Sequence, residues 1–420
     1  MVGIVVVVAL VLRWGFVATG EVVSPLRVDA GQYAQYAHNL VEHGTYSLAT
    51  SVPPPPDSYR SPGYPFVLAL CRLVASDGWH SLVLALQVAL GTATVWLTYG
   101  LARRWLSFPA AAVAAAACAL SPHLVASCTY VLTECTTTFA LVAGLTLVAS
   151  APSRWRLAAS GACLGFTALC NETFVFVPIV IAWPLARAHG LRRAALCAAI
   201  ALLPWACWSI RNGTQDLARR GSERVTASVS HGTYPGMVFR DPRLRGFPYR
   251  EDPEQPAFGA SWHDIGRVLG PRFAERPWRH VAWYLFEKPV WLWGWKIVQG
   301  TDVLVYEVAN NPYDSQPIAI ATHRVMRWLH APMMFFAAVA MAVFAWNPRR
   351  RHSWIAQAAA FVVATATAAH LLVIPDPRYL QPVRPVLFVL AAAGATAAFE
   401  RIRDRRAIGA RSEAVLAAER

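Results

Sequence analysis

"RVDAGQYAQYAHNL", residues 27–40, follows the first apolar stretch of a 420-residue chain and sets a carboxylate, Asp29, just past a membrane-length segment. After it, Tyr33, Tyr36, Ala37, Leu40 and Val41 recur at helical spacing, which predicts an amphipathic helix lying on a membrane surface. Asp29 with Gln32 reads as a capping-box-like start for that helix. Capping alone accounts for an Asp at this position, and a capping carboxylate can still keep one oxygen free for chemistry. The choice between these roles rests on the rest of the chain.

The composition is that of an integral membrane protein: 56% of residues are hydrophobic and 15% charged, against about 25% charged in soluble domains. Net charge is +14, yet Lys288 and Lys296 are the two lysines, so the positive charge is almost all arginine. Arginine stays charged and forks onto phosphate or carboxylate. These basic residues are scattered between hydrophobic segments, so membrane topology explains them and no nucleic-acid partner is expected. The eight cysteines show no CxxC or Cys/His metal spacing. Cys118, Cys163, Cys170, Cys197 and Cys207 lie in apolar segments, whereas Cys128 and Cys135 fall where a disulfide outside the membrane is conceivable. The Asn171 and Asn212 sequons read as chance matches.

Ten spans are expected, near 2–20, 82–102, 107–127, 133–150, 157–170, 173–189, 193–210, 325–346, 353–374 and 382–400. The first lacks the basic start and small-residue cleavage site of a signal peptide, so it reads as a retained span. Arg103 and Arg104, Arg154 and Arg156, Arg187 with Arg192 and Arg193, Arg349 to Arg351, and "RIRDRR" at 401–406 fall in alternate loops. If residues 157–189 cross twice, all lie on one side, and the positive-inside rule then makes both termini cytoplasmic. The two segments there are short, which leaves nine or eleven crossings open. A transmembrane domain over 1–400 is thus expected, with external loops near 21–81 and 211–324 and a charged cytoplasmic tail over 401–420. In the second loop "WRHVAWYLFEKPVWLWGW" (278–295) reads as an interfacial aromatic belt or the wall of a lipid groove.

Candidate chemistry gathers at the external ends of the spans. Asp29 and Arg60 ("YRSPGYPFVLAL", 59–70) belong to the first loop, and Glu134 ("YVLTECTTTF", 130–139) opens the fourth span. Arg211 ends the seventh in "PWACWSIRNG", and Arg378 and Tyr379 precede the last in "IPDPRYLQPVRP". Each has a plain reading: Arg60 an interfacial anchor, Glu134 an acid favoured at a helix N-terminus, Arg211 a span-end charge. Convergence of all of them on one face suggests an external site instead. Gln32, Tyr33, Tyr59 and Lys288 are further candidates for substrate contact. No Gly-rich phosphate loop, His-Glu-x-x-His or nucleophile elbow is present. No metal is assigned, and the sequence requires no cofactor, which leaves the need for a divalent cation open.

In this order the residues resemble the membrane-embedded GT-C glycosyltransferases, nearest to the branch of protein O-mannosyltransferases and lipid A aminoarabinose transferases. The pieces are Arg13 in "VLRW", "VDAGQYAQYAHNLVEHGTY", "YRSPGYP", "LTECTTTF", "PWACWSIRN" and "DPRYLQPVRP". The chain reads Asp29-Ala30 where the mannosyltransferases have Asp-Glu, and Arg60-Ser61-Pro62 where the aminoarabinose transferases have Lys-Pro-Pro. The oligosaccharyltransferase Trp-Trp-Asp signature is missing. The resemblance implies an all-α polytopic GT-C fold and a polyprenyl-phosphate-linked sugar donor. It further implies Asp29 as general base, Glu134 as second acid, and Arg60, Arg211, Arg378 and Tyr379 at the donor phosphate. Transfer to an acceptor hydroxyl on a glycan, lipid or protein, with inversion, is the expected reaction. The competing reading is a transporter or flippase for a lipid-linked or anionic substrate. A non-enzymatic scaffold would keep the helices without needing Asp29.

Overall fold

The computed structural model describes residues 2–150, 153–236, 252–253, 255–258, 261–346 and 353–418. Helices α1 (Val2–Thr19), α2 (Asp29–His43), α3 (Gly63–Ala75), α4 (Trp79–Ala102), α5 (Phe108–Leu120), α6 (Pro122–Ala126) and α7 (Glu134–Ala149) come first. Then follow α8 (Arg154–Cys170), α9 (Val177–His189), α10 (Leu191–Thr214), α11 (Gly221–Gly232), α12 (Gln255–Phe258), α13 (Trp262–Glu275), α14 (Pro277–Ala282) and α15 (Lys288–Leu292). The last are α16 (Pro312–Ser315), α17 (Pro317–Trp346), α18 (Ser353–Leu371) and α19 (Arg384–Ala418). A helix stands at each of the ten expected spans. Six stretches are long and apolar enough to cross a membrane, and the pair α5–α6, bent by 51°, makes a seventh. The count of ten is therefore not reached on length and apolarity, because α7, α8 and α9 are 16, 17 and 13 residues long. The chain is an integral membrane protein. Val7, Val11, Trp14, Leu203 and Phe335 point outward from the spans, as lipid-facing side chains do. The arginine cluster at 349–351 lies outside the described residues.

The bend between α5 and α6 explains the arginine in the first span. Pro122 has no N–H for the carbonyl of Cys118, and the helix break also frees that of Ala119. Arg13, buried in α1, supplies both: its guanidinium donates to the Ala119 carbonyl at 3.2 Å and to that of Cys118 at 3.1 Å. A cation is favoured at this negative end of the helix dipole. Gly91 on α4 allows the approach, since a Cβ there would meet Arg13 Nε at 2.9 Å. Nearby, the Cys128 and Cys135 sulfurs are 3.9 Å apart as buried free thiols, so they meet without a disulfide.

The two long loops are stitched together. Strand β1 (Glu21–Val22) pairs antiparallel with β2 (Val308–Ala309), Glu21 opposite Ala309. Farther along, Ser58 N–H donates to the Arg219 carbonyl and Ala218 N–H to that of Pro56. These ties bring α11 and the segment before β2 against the start of α2.

Candidate active site

The helix expected from "RVDAGQYAQYAHNL" forms as α2 and buries Tyr33, Tyr36 and Ala37. Its start differs from the capping box. Val28 is the N-cap, with no side-chain cap, and Asp29 is the first helical residue. Both side chains of the supposed box are drawn instead to arginines distant in sequence. Arg60 Nη2 donates to Asp29 Oδ1 at 2.6 Å, and Arg60 Nε to Gln32 Oε1 at 2.7 Å. Arg378 Nη2 donates to Asp29 Oδ2 at 3.0 Å, while its Nε donates to Glu134 Oε1. Among the described residues the other oxygen of Glu134 has no hydrogen-bond partner although it is buried. Burial pushes the Asp29 carboxyl up, but the Arg378 and Arg60 guanidiniums outweigh it and hold it below the usual carboxylate range.

Each member is fixed from behind. Asp376 caps the turn Pro377–Val383 by accepting from Arg378 N–H at 2.9 Å, and takes the Gln299 N–H at 3.0 Å. Glu134 opens α7 beside Thr133, at the positive end of that helix. Tyr33 and Tyr59 lie under the Arg60 guanidinium at 5.4 and 5.8 Å.

These groups line one cavity of about 1200 Å³, ample for a polar head together with a second substrate. Its polar lining includes Asp29, Arg60, Glu134 and Arg378, with Tyr33, Tyr59 and Tyr379. Phe176, Val225, Val229, Leu372 and Val373 provide apolar lining. Tyr379 stacks on His370, ring centroids 5.4 Å apart.

Three sequence candidates do not line the cavity. Gln32 stands behind Arg60, as above. Arg211 donates to the Asp57 carbonyl at 2.7 Å and lies over the Trp208 ring, tacking the end of α10 to the first loop. Lys288 is wholly buried and donates to the carbonyls of Leu371 and Val373 at 2.6 and 3.0 Å, capping α18. Burial lowers its ammonium to about 7. Both cations serve backbone carbonyls, of the first loop for Arg211 and of the end of α18 for Lys288, which sequence position does not reveal.

Sequence reading also passed over a second pair on the cavity wall, Glu172 and Arg224. Arg224 donates to Glu172 and, through Nε, to the Tyr59 carbonyl at 3.0 Å; Ser61 donates to the other Glu172 oxygen. Gly63 permits this, because a Cβ there would lie 2.7 Å from the Cys170 N at the end of α8. Burial raises the Glu172 carboxyl, but Arg224 and Ser61 bring it below its ordinary value. An acid in "ALCNETFVF" between two short apolar helices was the available signal; Arg224, among other loop arginines, gave none. Among the described residues no group of three or more His, Cys, Asp or Glu is placed to hold a metal ion.

No protein-family model matches the chain, and no curated protein sequence is similar to it. Solved structures are. ArnT from Cupriavidus metallidurans in the apo state superposes with a TM-score of 0.52 at 17% identity, over 97% of this chain and 62% of ArnT. The same protein bound to undecaprenyl phosphate gives 0.51 at 16% identity, over 94% and 59%. The archaeal oligosaccharyltransferase AglB from Archaeoglobus fulgidus, in complex with an inhibitory peptide and a dolichol-phosphate, gives 0.50 at 14% identity, over 97% and 51%. The chain therefore spans between half and two thirds of the length of the proteins it matches. The resemblance read from the sequence holds at the level of architecture: this chain has the GT-C fold of membrane glycosyltransferases.

Proposed function

We propose that the protein is a membrane glycosyltransferase that moves a sugar from a polyprenyl-phosphate-linked donor to an acceptor hydroxyl of a glycan, lipid or protein. The observation that carries this reading is the Asp29 carboxylate gripped by Arg60 and Arg378 in a large half-apolar cavity. It supports the reading because two of the matched structures hold undecaprenyl phosphate and dolichol-phosphate. The donor's tail stays with membrane lipid along the apolar lining, and its phosphate meets the two guanidiniums.

The acceptor oxygen attacks the anomeric carbon as the bond from that carbon to the phosphate oxygen breaks. The hydroxyl proton passes to Asp29, acting as general base, and the bonding pair leaves with the polyprenyl phosphate. The leaving group gains negative charge as it departs, and Arg60 and Arg378 stabilise that charge more in the transition state than in the donor. In-line attack inverts the anomeric centre. The site faces the non-cytoplasmic side of the membrane, with both chain termini and the 401–420 tail on the cytoplasmic side, and the transferase domain covers 1–400.

The test is to supply polyprenyl-phosphate sugars to the protein in nanodiscs and to follow release of polyprenyl phosphate. Asp29→Asn should abolish release while leaving a folded, donor-binding protein. Full turnover in that variant would remove Asp29 as the base.

A further inference from the structure

Arg60 and Arg378 are built alike. Each fixes its Nε on a side chain that is not Asp29: Gln32 for Arg60, Glu134 for Arg378. Each then hands an Nη2 to a different oxygen of the same Asp29 carboxylate. Among the described residues the Nη1 groups take part in no hydrogen bond. The guanidiniums are thus held at Nε and can exchange partners at their Nη groups, and Asp29 occupies the place between them that an incoming anion would take.

From this we infer that the donor phosphate displaces Asp29 from Arg60 and Arg378, and that this exchange is what frees Asp29 to act as the base. The inference rests on the transferase reading above. In the arrangement seen here both Asp29 oxygens are taken by guanidiniums, and such a carboxylate takes up a proton poorly. When the phosphate takes over the Nη edges, Asp29 keeps its burial but loses its counter-charges, and its basicity rises. The base is then competent only with donor in place, so the acceptor hydroxyl is not deprotonated ahead of a leaving group.

A second feature lies beside the group that must move. Val28, immediately before Asp29, has φ +49° and ψ −115°. A β-branched residue is rarely found in that region and stays there only while its surroundings hold it. Val28 also lines the cavity. The turn that aims Asp29 at the two arginines is therefore under strain, which release of the carboxylate would ease.

The test uses the full chain in detergent and farnesyl phosphate, a water-soluble prenyl phosphate, titrated calorimetrically. Asp29→Asn should bind it about tenfold more tightly than the wild type, the variant's amide competing weakly for the guanidiniums. Affinity that is unchanged or weaker in Asp29→Asn overturns the exchange, while a loss of sugar transfer in the same variant would leave the base assignment standing. Arg60→Ala and Arg378→Ala that bind farnesyl phosphate as well as the wild type would sink both the exchange and the transferase reading of the site. A wild-type measurement covers the case where the variant does not fold. Infrared difference spectra of protein labelled with carbon-13 at the aspartate carboxyls should show an aspartate stretch moving when farnesyl phosphate is added. Absence of that shift at saturating ligand means that Asp29 keeps its arginines, which overturns the inference even if binding tightens through lost repulsion.

Discussion

Arg378→Ala probes the tie between site and fold most directly. The Arg378 and Glu134 side chains are 9% and 8% exposed, and Arg378 supplies the single hydrogen bond to the Glu134 carboxylate oxygens among the described residues. Removing the guanidinium leaves a buried carboxylate with neither counter-charge nor donor, and breaking such a pair costs about 3–5 kcal/mol. At about 2 °C per kcal/mol for a large domain, the melting temperature in detergent should fall by about 6–10 °C. Glu134→Gln in the Arg378→Ala background removes the stranded charge and should restore about 1–3 kcal/mol, a coupling expected of groups in direct contact. Tryptophan fluorescence followed through thermal unfolding of the four proteins of the cycle gives both numbers. A single variant that melts within about 2 °C of the wild type would refute the reasoning. So would strictly additive losses, because they would mean that Glu134 is satisfied without Arg378.

Three further outcomes follow from the geometry. Arg13→Met strands the Cys118 and Ala119 carbonyls at the α5 break, and should cost at least about 2 kcal/mol in the same melts, since bonds to charged groups are worth about 1.5–3 kcal/mol each. Arg211→Ala should lower the melting temperature through loss of its bond to the Asp57 carbonyl, yet leave affinity for farnesyl phosphate within about twofold of the wild type, under 0.5 kcal/mol. For pH, Asp29 lies below its usual value while Arg378 and Arg60 hold it. Its unfolded form therefore binds more protons, and its stabilising share is present above the ordinary Asp value and lost as pH falls through the lowered one. The acid limb of kcat/KM, which reports the free enzyme, should accordingly lie at lower pH than the acid limb of kcat, which reports the donor complex; coincident limbs would show that the donor leaves Asp29 as it was.

Much of this was legible in the sequence, for physical reasons that also mark where reading stops. Apolar length located a helix at every expected span, and the order Asp29, Arg60, Glu134, Arg378 along the chain was enough to bring those residues together. Span number was not legible, because α7 at 16 residues is packed among other helices and need not satisfy a lipid-facing length, and α9 has only 13. Helical period predicted the buried face of α2 but not its cap. Spacing sees the local partner of Asp29 and Gln32, and the structure gives them Arg60 and Arg378, the latter 349 positions from Asp29. Glu172 and Arg224, 52 positions apart, carry no local signal that distinguishes them from other charges near span ends.

Six cations of this protein divide by what they hold. Arg13, Arg211 and Lys288 donate to backbone carbonyls, and none of them borders the cavity. Arg60, Arg224 and Arg378 donate to carboxylates, and all of them do. A carbonyl left at a helix end, as at Cys118, Ala119 and Leu371, needs its donor, so its cation is committed to structure. A carboxylate can be exchanged for another anion at little cost to the fold, provided that the cation stays where it is. Holding one partner while offering another donor needs several donors in a fixed plane, which a guanidinium has and an ammonium lacks. Arg60 in "YRSPGYP" uses its donors in that way: Gln32 takes Nε and Asp29 takes Nη2.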